Sequence, residues 1–143
     1  MSYLIKKEMK FDAAHRLLDY KGKCRDLHGH TYKVVVELLC KKLDKQSIAV
    51  DFSIVKALFS GWIDENWDHN TILNENDSLI GLLKIDPSNR IPFMMKGNPT
   101  AEVMAEFLCR KFSEILFESQ IEAVVINSVE VFETATSSCK VGL

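Results

Sequence analysis

The sequence predicts an α+β domain, a four-stranded antiparallel sheet with two helices on one face. Three observations carry this reading. Two N-terminal segments alternate apolar and polar residues with period two, as strands buried on one side do. Two later segments repeat apolar residues at helical spacing behind capping residues. The order strand, strand, helix, helix, strand, strand is that of helices segregated to one face of an antiparallel sheet. At 143 residues, 47% of them hydrophobic, the chain is expected to form one domain over 1–143 with a single core.

In the first strand Tyr3, Ile5, Met9, Phe11, Ala13, His15 and Leu17 share one parity, interrupted only by Lys7. Lys6, Glu8, Lys10, Asp12 and Arg16 share the other. The turn Asp19 to Cys24 follows, with Gly22 as its punctuation. The second strand starts near His30, with Tyr32, Val34, Val36, Leu38 and Cys40 on its apolar face. The connection is too short for a crossover helix, so the two strands are expected to be antiparallel neighbours. Asp51 caps a helix whose apolar positions are Phe52, Val55, Phe59, Trp62 and Ile63. Asn66 to Pro99 is the least periodic stretch, with a short helix over Leu79 to Leu83; a connection this long is usually functional or mobile. Asn98 or Thr100 caps the next helix, Pro99 suits its first turn, and Met104, Phe107, Leu108, Phe112, Ile115 and Leu116 form its stripe. Ala123 to Phe132 reads as a third strand and Cys139 to Leu143 as a short fourth.

Composition excludes several roles. Lysine plus arginine number 18 against 20 acidic residues, a net charge of −2, which argues against nucleic acid or an anionic membrane as partner. The opening residues carry Lys6, Lys7, Glu8 and Lys10 and lack the apolar core of a signal peptide. No apolar run approaches the ~18 residues of a membrane span. A reducing, cytoplasmic setting is the expectation, with Cys24, Cys40, Cys109 and Cys139 as free thiols.

The chemistry lies in the histidines. His28 and His30 are two apart on a strand and share a face with Tyr32 and Val34. His15 has the parity of Phe11 and Ala13 on the neighbouring strand. Three imidazoles on one side of a sheet suit a tetrahedral zinc with an open fourth position; the plainer reading makes His15 a core histidine bonded to backbone. Cys24, four residues before His28, is either a fourth ligand or a thiolate activated by a nearby cation. Asp68-His69 is either an acid–base pair or a loop turn. No H-E-x-x-H supports a zinc hydrolase, and no G-x-x-x-x-G-K supports a P-loop.

Taken in order, FDAAHRL (11–17), CRDLHGHTY (24–32), VDF (50–52), DHNTILN (68–74), NPTAEV (98–103) and VFET (131–134) resemble the 6-pyruvoyl- and 6-carboxy-tetrahydropterin synthase family over nearly the whole chain. The resemblance implies the tunnelling fold, with trimers closing a barrel and pairing into a homohexamer, and active sites between subunits. It implies Zn2+ on His15, His28 and His30, and Cys24 as the thiol that moves protons on the substrate side chain. It implies Asp68 and His69 as the acid–base pair, and Glu133 as the anchor of the pterin ring. Thr100 and Glu102 match a segment lining the pterin pocket, although cap and first-turn acid describe them almost as well. NPTAEV and ETATSSC are closer to the 6-carboxy branch, which serves queuosine-precursor synthesis. Its substrate is 7,8-dihydroneopterin triphosphate and its products are 6-carboxytetrahydropterin, acetaldehyde and triphosphate. The alternatives are the 6-pyruvoyl-forming lyase and a non-catalytic zinc- or pterin-binding protein. Arg16, Lys21, Lys23 and Arg25, near the motif residues in sequence, are either cations that meet the triphosphate or solvated surface charges. Val103 departs from the asparagine of many relatives, and Ile80 to Met95 is longer than in the smallest members.

Overall fold

Two long strands form the centre of the molecule. The computed structural model describes residues 1–142, and β1 (Tyr3–His15) pairs antiparallel with β2 (His28–Cys40) along their whole length, from Tyr3 opposite Cys40 to His15 opposite His28. The helices are α1 (Phe52–Asn66), α2 (Leu79–Ile85) and α3 (Ala101–Glu118). The remaining strands are β3 (Asn70–Asn74), β4 (Phe93–Met95), β5 (Val125–Thr134) and β6 (Ser137–Gly142). The expected fourth strand corresponds to β6, except that Leu143 lies outside the described residues.

The architecture is α+β, but the sheet corrects the expectation of four antiparallel strands. It has six, in the order β4-β3-β1-β2-β5-β6, and it is mixed, because β3 runs parallel to β1 and β4 parallel to β3. Both added strands come from the aperiodic 66–99 stretch. They are too short to show a period. β3 has only Ile72 and Leu73 fully buried between asparagines, and is specified by pairing with the end of β1 rather than by its own pattern.

The odd residues of β1 and the even residues of β2 face the core, so Met9, Phe11, Ala13, Tyr32, Val34, Val36 and Leu38 are buried. Val55, Phe59 and Ile63 of α1 and Met104, Leu108 and Phe112 of α3 meet them there. Phe59 stacks on Phe112 with ring centroids 4.2 Å apart. Each such ring removed from water stabilises the fold by about 1.5–3 kcal/mol. Phe52, expected in the α1 stripe, is exposed, since the residue after an N-cap lies at the frayed end of the face. Asp51 caps α1 by accepting the Ser53 amide at 2.7 Å.

The other face of the sheet is polar. At its centre Glu37 is buried, accepting hydrogen bonds from Ser128 Oγ at 2.6 Å and Asn127 Nδ2 at 3.3 Å. Lys140 and Lys6 pair with it at 2.9 and 3.3 Å. The Ser128 bond, followed by Lys140 and Lys6, holds its carboxyl down at about 2. No helix is long and apolar enough to cross a membrane among the described residues.

Candidate metal and proton-transfer site

The strand pairing that builds the core also gathers the histidines. His15 faces His28 across the β1–β2 ladder, and His30 follows two residues on. Gly29 allows the strands to close here, because a Cβ at this position would come within 3.2 Å of the Ala13 carbonyl oxygen. The three side chains each present a ligand atom within 4.8 Å of the others, and Cys24 is not part of that group.

Hydrogen bonds settle which nitrogens face inward. His15 Nδ1 lies 2.8 Å from the Pro99 carbonyl, and His28 Nδ1 lies 2.7 Å from the Asp26 carbonyl. A carbonyl only accepts, so both Nδ1 atoms carry a proton, and in the neutral ring that leaves the lone pair on Nε2. Those two Nε2 atoms are 3.1 Å apart, and the buried Nε2 of His30 has no hydrogen-bond partner among the described residues. Burial lowers the pKa of both His15 and His30, so both are neutral near pH 7. Neutral lone pairs this close repel unless a cation lies between them. The donor set therefore fits a borderline-soft divalent metal such as zinc. These interior partners also answer the plainer reading of His15: its backbone bond uses Nδ1 and leaves Nε2 free.

Glu133 Oε1 reaches this centre, 3.4 Å from His15 Nε2 and 3.6 Å from His30 Nε2. Tyr32, fully buried, stands edge-on to His15 and His30. Burial, then the charges of Glu133 and Cys24, push its phenol well above the ordinary range, so it stays protonated. Cys24 sits half-buried in a 3-10 turn over Lys23–Arg25, tied to the end of β1 by the Leu17 amide on its carbonyl at 2.9 Å.

Asp68 and His69 form their own group with Asp12. Asp68 Oδ2 is 2.9 Å from His69 Nδ1, and its Oδ1 accepts the Asp12 amide at 2.9 Å. Burial works to raise the Asp68 pKa, but the Asp12 and His69 bonds outweigh it and hold the carboxyl below its ordinary value. His69 takes the left-handed conformation, φ +56°, while its amide donates to the Asp12 carbonyl at 2.6 Å. A non-glycine residue there costs roughly 1 kcal/mol, as residues at working sites often do. Asp12 and the Thr31 that hydrogen-bonds it lie on the polar face of the sheet, whereas the three histidines leave from the covered face. The chain thus holds two potential ligand groups, and Cys24 belongs to neither. The sequence does not single out Asp12, because its parity marks it as an ordinary solvent-facing strand residue.

Thr100 caps α3 by accepting the Val103 amide at 3.3 Å, and Glu102 is the acid of its first turn. Arg16 does not face a free site. Its Nε donates to Asp77 Oδ2 at 2.8 Å and its second nitrogen to Oδ1. Lys21, Lys23 and Arg25 are exposed around Cys24. A cavity of about 740 Å³ at the end of α3, beside Leu116, Phe117 and Val125, includes none of the site residues.

Known proteins resemble this chain in sequence and in fold. The sequence profile described as 6-pyruvoyl tetrahydropterin synthase matches residues 4–142. A 6-carboxy-5,6,7,8-tetrahydropterin synthase of Rickettsia bellii is 37% identical over 128 residues, covering 90% of this chain and 91% of the relative. A synthase of the same name from Haemophilus influenzae is 36% identical over 144 residues, covering 96% and 97%. The solved 6-pyruvoyl tetrahydropterin synthase of Plasmodium falciparum superposes with a TM-score of 0.73 at 20% identity, covering 98% of this chain and 96% of that one, a likeness of fold.

Proposed function

The chain belongs to the 6-pyruvoyl tetrahydropterin synthase family, and within it we propose that this protein is a zinc-dependent 6-carboxy-5,6,7,8-tetrahydropterin synthase. The observation that carries the reading is the convergence of three histidine Nε2 atoms, two of them fixed as lone-pair donors by carbonyls at Nδ1. The choice of branch is supported by curated relatives of that name at 36–37% identity over most of the chain.

In this reading His15, His28 and His30 hold the ion, with Glu133 beside them. Zinc bound there supplies Lewis acidity to hydroxyl oxygens on the side chain of 7,8-dihydroneopterin triphosphate. Cys24, as thiolate, takes a proton from the substrate side chain and returns one during tautomerisation. His69 supplies the complementary proton from Nε2, with Nδ1 held by Asp68. Glu133 accepts the pterin ring's N–H groups, a pairing suited to a carboxylate. Thr100 and Glu102 border the ring pocket. Lys21, Lys23 and Arg25 are the cations left to meet the triphosphate. The histidine cluster and the Asp12–Asp68–His69 group leave opposite faces of one sheet, and in this reading a closed homohexamer is the working unit, with Cys24 and His69 meeting between copies of the chain.

The test is product identification by mass spectrometry with zinc-loaded protein and 7,8-dihydroneopterin triphosphate. 6-Carboxytetrahydropterin with acetaldehyde supports the proposal. 6-Pyruvoyl tetrahydropterin without acetaldehyde assigns the chain to the other branch, and an inert but zinc-replete protein makes it a binding protein.

A further inference from the structure

We propose that Asn98 is a positioning residue for the three-histidine centre: its side-chain amide clasps the chain leaving β1 and so sets the Pro99 carbonyl on His15. The inference rests on the metal-centre reading. Thr100, not Asn98, caps α3, and this leaves the Asn98 amide free for another use. Its Oδ1 accepts the Leu18 amide at 2.9 Å, and its Nδ2 donates to the Leu18 carbonyl at 2.9 Å. A side chain 80 residues away thus makes the two-point pairing that a neighbouring strand would give. The same Oδ1 accepts Asn74 Nδ2 at 3.2 Å, which ties in the end of β3. The Asn98 carbonyl accepts the Thr100 amide at 2.8 Å, closing a tight turn around Pro99. Gly97, at φ +94°, allows the chain to enter that turn.

The consequence falls on His15. It is 1% exposed, so water is not available to replace a lost acceptor at Nδ1. With the Pro99 carbonyl in place the proton stays on Nδ1 and Nε2 keeps its lone pair for the centre. If the turn shifts, the proton is free to move to Nε2, which then presents an N–H where a ligand is required. Outer partners that orient a metal-bound histidine typically change affinity by about 10–100-fold. Three residues hold the chain just beyond His15: Arg16 is pinned to Asp77, Leu17 to the Cys24 carbonyl and Leu18 to Asn98, but only the last is continuous with the carbonyl that His15 uses.

The test compares Asn98→Ala and Asn98→Asp with Asp51→Ala, which removes the cap of α1 far from the site. Zinc affinity is measured on the folded full chain by chelator competition, and the His15 tautomer by nitrogen NMR of metal-free protein. The expected result is zinc binding weaker by about tenfold or more in Asn98→Ala, with loss of the His15 Nδ1–H form. Asp51→Ala, at similar loss of thermal stability, should stay within about twofold of wild type. Asn98→Asp keeps the acceptor for the Leu18 amide but sets a carboxylate oxygen against the Leu18 carbonyl, so it is expected to fall the same way if Asn98→Ala does not fold. Unchanged affinity and tautomer, or a loss that tracks stability equally in all variants, would overturn the proposal. The tautomer measurement needs no metal, so a wild-type chain that takes up no zinc would overturn the metal reading while the clasp is judged separately.

Discussion

Replacing Arg16 by methionine separates two roles open to an arginine beside His15, a proposed metal ligand. The Asp77 side chain is fully buried, and Arg16 holds it with two parallel bonds while only 26% exposed itself. Among the described residues the one other bond to that carboxylate is from the Leu79 amide, at 2.8 Å. Removing Arg16 leaves a buried carboxylate with a single donor, which costs about 3–5 kcal/mol for a fully enclosed pair. Water at the rim of Arg16 trims this to about 2–4 kcal/mol. The Arg16 bonds hold the Asp77 pKa below its ordinary value, so their stabilisation is present above the ordinary carboxylate pKa and fades as pH falls through the lowered folded one. Wild type and variant should therefore converge in acid. The assay is urea denaturation at fixed protein concentration, with Asp77→Asn and the double variant completing a cycle. The double variant should recover most of the loss, since no buried charge is left alone. KM for 7,8-dihydroneopterin triphosphate, the proposed substrate, should change by no more than about twofold. A variant within ~0.5 kcal/mol of wild-type stability, with KM raised about tenfold, would overturn the structural role and return Arg16 to the triphosphate.

Two further outcomes follow from the packing. Glu37→Gln should cost about 1–2 kcal/mol at neutral pH, less than the ~3 implied by a carboxyl held near 2, because Lys6 and Lys140 are 62% and 47% exposed. The Glu37 contribution is present above the ordinary glutamate value and is lost as pH falls toward 2, so equal urea stabilities at pH 7 would contradict it. Phe59→Ala removes one ring of the 4.2 Å stack with Phe112 and should cost about 3–5 kcal/mol, visible as a large drop in melting temperature; a drop of only a degree or two would show that the two helices do not share this core.

How much of the fold and site is legible in the sequence depends on the range of the interactions. Period two alone places His15, His28 and His30 on one face, because strand parity is a local property. Asp51 and Thr100 are legible as caps for the same reason. Arg16 reads as a free cation because its partner lies 61 residues away and nothing in either neighbourhood announces the pair. β3 and β4 escape because strands of five and three residues carry almost no pattern of their own. The carbonyls of Asp26 and Pro99 are invisible in principle, since every residue has one and only the fold aims them.

The most direct measurement is zinc content beside turnover in Cys24→Ala. His15, His28 and His30 should retain the ion while turnover of 7,8-dihydroneopterin triphosphate is lost. Loss of zinc along with activity would make Cys24 a ligand and contradict a three-histidine centre served by a separate proton-transfer thiol.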